Sequence, residues 1–98
     1  MFVGALVCDL LLPPDVGSLK GKRSVVRPLL ADLRRLEVAV AETGSHDLHR
    51  RAEVSVAVVA ATADRCREVL ARCERLVADR PEVQLLSAHE LLRSDTDE

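Results

Sequence analysis

Tryptophan, tyrosine and asparagine are absent from this 98-residue chain, and Phe2 is its sole aromatic residue. Domains that read RNA on an open β-sheet stack bases on sheet aromatics, so that mode of recognition is excluded. Any contact with nucleic acid would run through phosphates and sugars. The net charge of −2 argues against a globally basic nucleic-acid binder, and no readout of DNA sequence is expected. With so few aromatics the core must be built from Val, Leu and Ala. Long apolar runs are missing too: neither Met1 to Cys8 nor Leu10 to Pro14 comes near the length needed to cross a bilayer. No basic-then-apolar signal segment opens the chain, and the expected compartment is the cytoplasm. The cysteines Cys8, Cys66 and Cys73 form no C-x-x-C pair. Their apolar settings predict buried, reduced thiols.

Hydrophobic residues make up 48% of the chain and charged residues 31%, which describes a folded domain. Phe2 to Leu12 is nearly continuous in apolar residues and reads as a strand buried on both faces. Pro13-Pro14-Asp15-Val16-Gly17 ends it, and Ser18 is placed to cap a helix. Leu19, Val26, Leu29, Leu30 and Leu33 then recur at helical spacing. Pro28 either bends a helix that begins at Ser18 or sits in the first turn of one capped at Ser24, and the first is preferred. Leu36 to Glu42 alternates with period two, as does Ala52 to Ala61, with polar residues and Gly44 between them. This pattern predicts an antiparallel hairpin. Thr62 caps a second helix with Cys66, Val69, Leu70, Cys73, Leu76 and Val77 on one face, Pro81 ends it, and Glu68 and Arg72 are spaced as an ion pair. Val83 to about Leu92 supplies a last strand, and residues 93–98 read as an acidic flexible tail. The order β-α-β-β-α-β is the ferredoxin-like α+β arrangement, a four-stranded antiparallel sheet with both helices on one face. A single domain over residues 1–92 is expected.

Parity places Glu37, Ala39, Ala41, Glu53, Ser55, Ala57 and Val59 on the other face of the sheet, with Ala5, Val7 and Asp9 beside them. A smooth patch of small apolar residues is unusual on a monomer. A homodimer through this face or through an edge strand is therefore expected, with Ala39, Ala41, Ser55 and Ala57 as interface candidates.

Ser18-Leu19-Lys20-Gly21-Lys22-Arg23 puts a hydroxyl and three cations where a strand gives way to a helix, a place where backbone N–H groups lack partners. Cations there oppose the helix dipole, which points to an anionic ligand. Ser18, Lys20, Lys22, Arg23 and Arg27 are the candidate anion- or RNA-binding residues. Asp47 and Arg51 are spaced to pair across the hairpin loop, and Glu42 to pair with Arg50, Arg51 or a dimer mate. His46, Asp47 and His49 lack a clear further ligand, so no metal site is expected. His89 and Glu90 read as strand surface. No cofactor is implied. No catalytic triad spacing or Gly-rich phosphate loop is present, and an acylphosphatase-type reaction lacks its asparagine, so the chain is not expected to be an enzyme.

Pro14 with Ser18-Leu19-Lys20-Gly21-Lys22-Arg23, then Val38-Ala39-Val40-Ala41-Glu42, then Asp47-Leu48-His49-Arg50-Arg51-Ala52 are similar to the S-L-K-x-K-R, V-S-V-A-E and D-L-W-Q-R-A segments of the YlxP-like family of small bacterial proteins. The resemblance spans roughly Met1 to Leu92. Gly21 stands where relatives often carry Glu, His49 where they carry Trp and Leu36 where Phe is common. The resemblance implies a ferredoxin-like fold and gene neighbourhood with translation and ribosome-maturation factors, and no established reaction. The functional expectation is a non-enzymatic accessory factor of translation or ribosome maturation. It would touch ribosomal RNA or a ribosomal or translation protein through residues 18–27. The alternative is a homodimeric protein-interaction module with no nucleic-acid role.

Overall fold

The computed structural model describes residues 1–96. Its elements run β1 (Phe2–Leu11), α1 (Leu19–Arg34), β2 (Ala39–Gly44), β3 (Arg51–Ala60), α2 (Ala63–Ala78) and β4 (Gln84–Ser94). The strands form one antiparallel sheet in the order β2-β3-β1-β4. The ferredoxin-like β-α-β-β-α-β reading of the sequence is thus borne out.

Strand alternation decides which face is covered. Leu6, Cys8 and Leu10 of β1 and Ala52, Val54 and Val56 of β3 point at the helices and are buried. Val26, Leu29 and Leu33 of α1 and Val69, Leu70, Cys73 and Val77 of α2 meet them. Nearly all of this core is Val, Leu and Cys, so tight packing rests on close approach of the layers. At Gly4 a Cβ would come within 2.9 Å of Leu70 Cδ1 and 3.3 Å of Cys66 Cβ, so the missing side chain lets α2 seat on β1 without displacing Leu70. All three cysteines are free and buried, and burial pushes the Cys8 thiol up to about 11.

Both helices begin at the hydroxyl caps the sequence suggests. Ser18 Oγ accepts from the Gly21 N–H at 3.0 Å, and Thr62 Oγ1 accepts from the Arg65 N–H at 3.1 Å. The α1 cap therefore forms without a capping-box glutamate. The helix runs on through Pro28, which lies on its exposed side together with Ser24. The carbonyl that Pro28 cannot serve faces water, which lowers the penalty.

Two boundaries and one ion pair depart from expectation. Leu36 and Glu37 do not open β2. Their N–H groups bond back to Leu33 and Arg34 at 2.9 and 3.0 Å, and Glu37 turns the chain with φ 62. A left-handed residue is a common way out of a helix. Glu37 consequently leaves the sheet face, while Leu36 still packs on the core. At the other end β4 continues through Ser94, with Arg93 opposite Val3 and Ser94 opposite Phe2. The Asp95 N–H then bonds the Met1 carbonyl at 3.1 Å, so the first residues of the expected tail are held; Asp97 and Glu98 lie outside the described residues. In α2, Glu68 pairs with Arg65 at 3.0 Å rather than with Arg72.

Candidate functional site

The cationic segment folds into the first half of α1, and the helix period sorts its charges into two groups. Lys22 shares a stripe with Val26, Leu29 and Leu33, at positions i, i+4, i+7 and i+11. It is accordingly buried, with 3% of its surface exposed. Lys20, Arg23, Arg27 and Arg34 fall instead within about 60° of one another on the helix circumference. All four are exposed, and none makes an ion pair with another described residue. On the opposite flank Asp32 holds Arg80 at 2.5 Å and Arg35 at 3.8 Å. The hydrogen bond from Arg80 keeps the Asp32 carboxyl below the usual carboxylate range.

The buried ammonium of Lys22 has internal partners. It donates to the Ser45 carbonyl at 2.7 Å and lies 2.8 Å from Glu42 Oε2. That oxygen is buried and receives no directed hydrogen bond from any described residue. The contact is thus an ion pair, without the alignment of a full hydrogen bond. Lys22 comes from the S-L-K-G-K-R segment and Glu42 from the V-A-V-A-E segment, so two of the motifs singled out in the sequence meet here. Lys22 does not face solvent, and its expected role as an anion contact is corrected: an apolar-stripe position draws the side chain inward.

A groove of about 310 Å³ opens beside this pair, between α1 and the outer edge of the sheet at β2. Leu19, Val26 and Leu30 give it an apolar floor, and Arg23 and Arg27 stand on the helix side. Glu42 and His46 stand on the strand side, where His46 Nε2 lies 3.2 Å from the Glu42 carbonyl. A second concavity of about 420 Å³ lies on the outer side of the same cations, along Lys20, Arg23, Ser24, Arg27 and Pro28. Arg34 was not among the candidates read from sequence, and His46 was weighed there only as a metal ligand. The helical spacing of Arg34 from Arg27 was the available signal for the first, and nothing short of the β2–β3 turn geometry marks the second.

The other candidates separate. Asp47 is exposed and makes no contact with Arg51. Arg51 pairs with Asp9 on the open face of the sheet instead, because the register sets Arg51 opposite Leu11 and brings Asp9 alongside. Glu42 meets neither Arg50 nor Arg51, since its side chain turns to the helix face; Arg50 Nε donates to the Leu12 carbonyl at 3.3 Å. His49 is exposed in the hairpin loop. Among the described residues no group of His, Cys, Asp or Glu is arranged to hold a metal, and no helix is long and apolar enough to cross a membrane.

On the open face the register aligns Ala39, Ala57, Ala5 and Leu91 in one row, and Ala41, Ser55, Val7 and His89 in the next. A shallow depression of about 280 Å³ lies over Ala5, Ala39, Ala41 and Ala57. Val59, Leu91 and Val3 are exposed around it by 66%, 42% and 38%. Thr43 bridges Glu53 and Ser55 at 2.7 Å each along the β2 side.

Among solved structures the chain is similar to a protein of Chloroflexus aurantiacus J-10-fl described as an antibiotic biosynthesis monooxygenase, at 13% identity and a TM-score of 0.54, covering 98% of this chain and 97% of that one. It is also similar to a variant of SnoaB, a cofactor-independent oxygenase from Streptomyces nogalater, at 15% identity and a TM-score of 0.52, covering 98% and 95%. At such identities the likeness is one of fold. It nevertheless overturns the expectation that the chain is not an enzyme, because this architecture is shared with proteins named as oxygenases. No curated protein matches the chain. The match that spans the strand, the cationic helix, the hairpin and most of β4 is to a family model covering residues 3–90, and the chain belongs to that family, the proteins of unknown function termed DUF503.

Proposed function

We propose that this chain is a YlxP-like accessory factor of translation or ribosome maturation that holds single-stranded RNA along α1. The observation that carries the reading is the flank formed by Lys20, Arg23, Arg27 and Arg34, four exposed cations without an intramolecular carboxylate among the described residues. They extend over about 21 Å of helix. Such a row neutralises successive phosphates and is indifferent to sequence. Two of the four lie near the helix N-terminus, where cations are mildly unfavourable until an anion arrives. The family resemblance, with its translation-associated gene neighbourhood, supplies the ribosomal context. Fluorescence anisotropy with an unstructured 12-nucleotide RNA tests the reading. Four phosphate contacts give a slope of log K against log salt near −2.8, and binding that is absent or independent of salt would sink it.

The open sheet face supports a second reading, in which the chain pairs with a second copy of itself. Val3, Val59 and Leu91 project from a field of alanines that lets another sheet approach closely. Sedimentation equilibrium should then give twice the 10.7 kDa chain mass, shifting to the monomer on Val59→Lys; a monomer at millimolar concentration contradicts it.

A further inference from the structure

We infer that the groove between α1 and β2 is a nucleotide subsite, occupied by one base whose phosphate lies on Arg23 and Arg27. The inference rests on the α1 reading for its RNA source but stands on separate features. The groove floor is apolar where it meets Leu19, Val26 and Leu30, which suits the face of a base and not a chain of waters. Arg23 and Arg27 flank it without an ion-pair partner among the described residues. A guanidinium both stacks on a base and pairs with a phosphate. At the strand side the groove is bordered by His46 and by Glu42, whose side chain keeps 23% exposure. A carboxylate there accepts from a ring or exocyclic N–H of a base edge. The roughly 310 Å³ of space accommodates one base with its ribose. Bases unstacked from a strand are the usual objects of such pockets in RNA recognition. The absence of sheet aromatics is no obstacle here, because stacking is supplied by arginine and aliphatic side chains on the helix.

The same chemistry is presented by a free mononucleotide and by a nucleotide within a strand, and the test separates them. In one arm, U8 RNA and an abasic octamer of the same backbone are compared by anisotropy. The base-bearing strand should bind at least fivefold more tightly at equal salt slope. Leu19→Gln and Leu30→Gln, which leave every charge in place, should reduce that preference below twofold without changing the slope. Melting curves followed by circular dichroism confirm that both variants fold. In the other arm, free 5′-UMP is titrated against methyl resonances, and shifts confined to Leu19, Val26 and Leu30 are expected. Equal affinity for the abasic octamer overturns the subsite while leaving the α1 reading intact. Methyl shifts with UMP but no salt-dependent RNA binding assign the groove to a free nucleotide and remove the α1 reading. An octaglutamate peptide that perturbs the same methyls as strongly as UMP overturns the nucleotide assignment.

Discussion

Removing the Glu42 carboxylate should destabilise the protein by about 3 kcal/mol, a large share of the roughly 5–15 kcal/mol that holds a domain together. The Lys22 ammonium is nearly sealed from water, with 4% of its side-chain surface exposed, whereas Glu42 keeps 23%. Glu42→Ala therefore leaves a positive charge in the protein layer with, among the described residues, the Ser45 carbonyl as its partner. Loss of one member of a buried pair costs about 3–5 kcal/mol, and the partial exposure of Glu42 places this case at the lower end. Lys22→Met should cost less, about 1–2 kcal/mol, because the freed carboxylate can turn to solvent. The double variant Lys22→Met/Glu42→Leu should return to within about 1 kcal/mol of the wild type, since an apolar pair of similar volume suits the site as well as the ions do. Urea unfolding followed by far-UV circular dichroism measures all three, as the chain has no tryptophan or tyrosine to report by fluorescence. A loss below 1 kcal/mol for Glu42→Ala would show that Lys22 reaches water and that the pair is not a structural element.

Neutralising the α1 flank should have the opposite profile, with a large effect on binding and almost none on folding. Lys20, Arg23, Arg27 and Arg34 are exposed and make no ion pair with another described residue, so their replacement by alanine removes no partner among those residues. Alanine favours the helix, and the two cations nearest the N-terminus oppose its dipole. The quadruple variant should thus melt at or above the wild-type temperature. Its RNA affinity at 50 mM salt should fall about 10³-fold, because four counterion-releasing contacts are lost. At 500 mM salt the gap between wild type and variant should shrink below about tenfold, as the released counterions no longer contribute much. A constant ratio at both salt concentrations would mean that these side chains act by shape and not by charge.

The contrast between these variants also shows what could be read from the amino-acid sequence. Element order, both hydroxyl caps and the helix-facing Val54 and Val56 follow from periodicities of 3.6 and 2, and the structure agrees with them. Lys22 was grouped with its cationic neighbours because they are adjacent in the chain. Yet it precedes Val26, Leu29 and Leu33 by 4, 7 and 11 positions, which is the buried stripe. Glu42 likewise has the parity of Val38 and Val40, which face the helices. A lone cation and a lone carboxylate on two apolar faces that pack together must find each other, and that match was available from pattern alone. The Arg51–Asp9 pair was not. It depends on the register that sets Leu11 against Arg51, and register is fixed by packing of the whole sheet rather than by the hairpin's own residues. The left-handed turn at Glu37 was hidden for a related reason: period-two alternation continues through Leu36–Val38 even though the first of those residues still belongs to the helix end.

The account turns on which cations look outward, and the chain offers a direct way to ask. Lys20 and Lys22 are its only lysines. Brief acylation of the native protein with a water-soluble active ester, read by peptide mass spectrometry, should label Lys20 rapidly and leave Lys22 unmodified. Saturating RNA should protect Lys20. Labelling of Lys22 at a rate comparable with Lys20, or of Lys20 unchanged by RNA, would contradict the assignment of an internal ion pair at Lys22 and a phosphate-facing flank beside it.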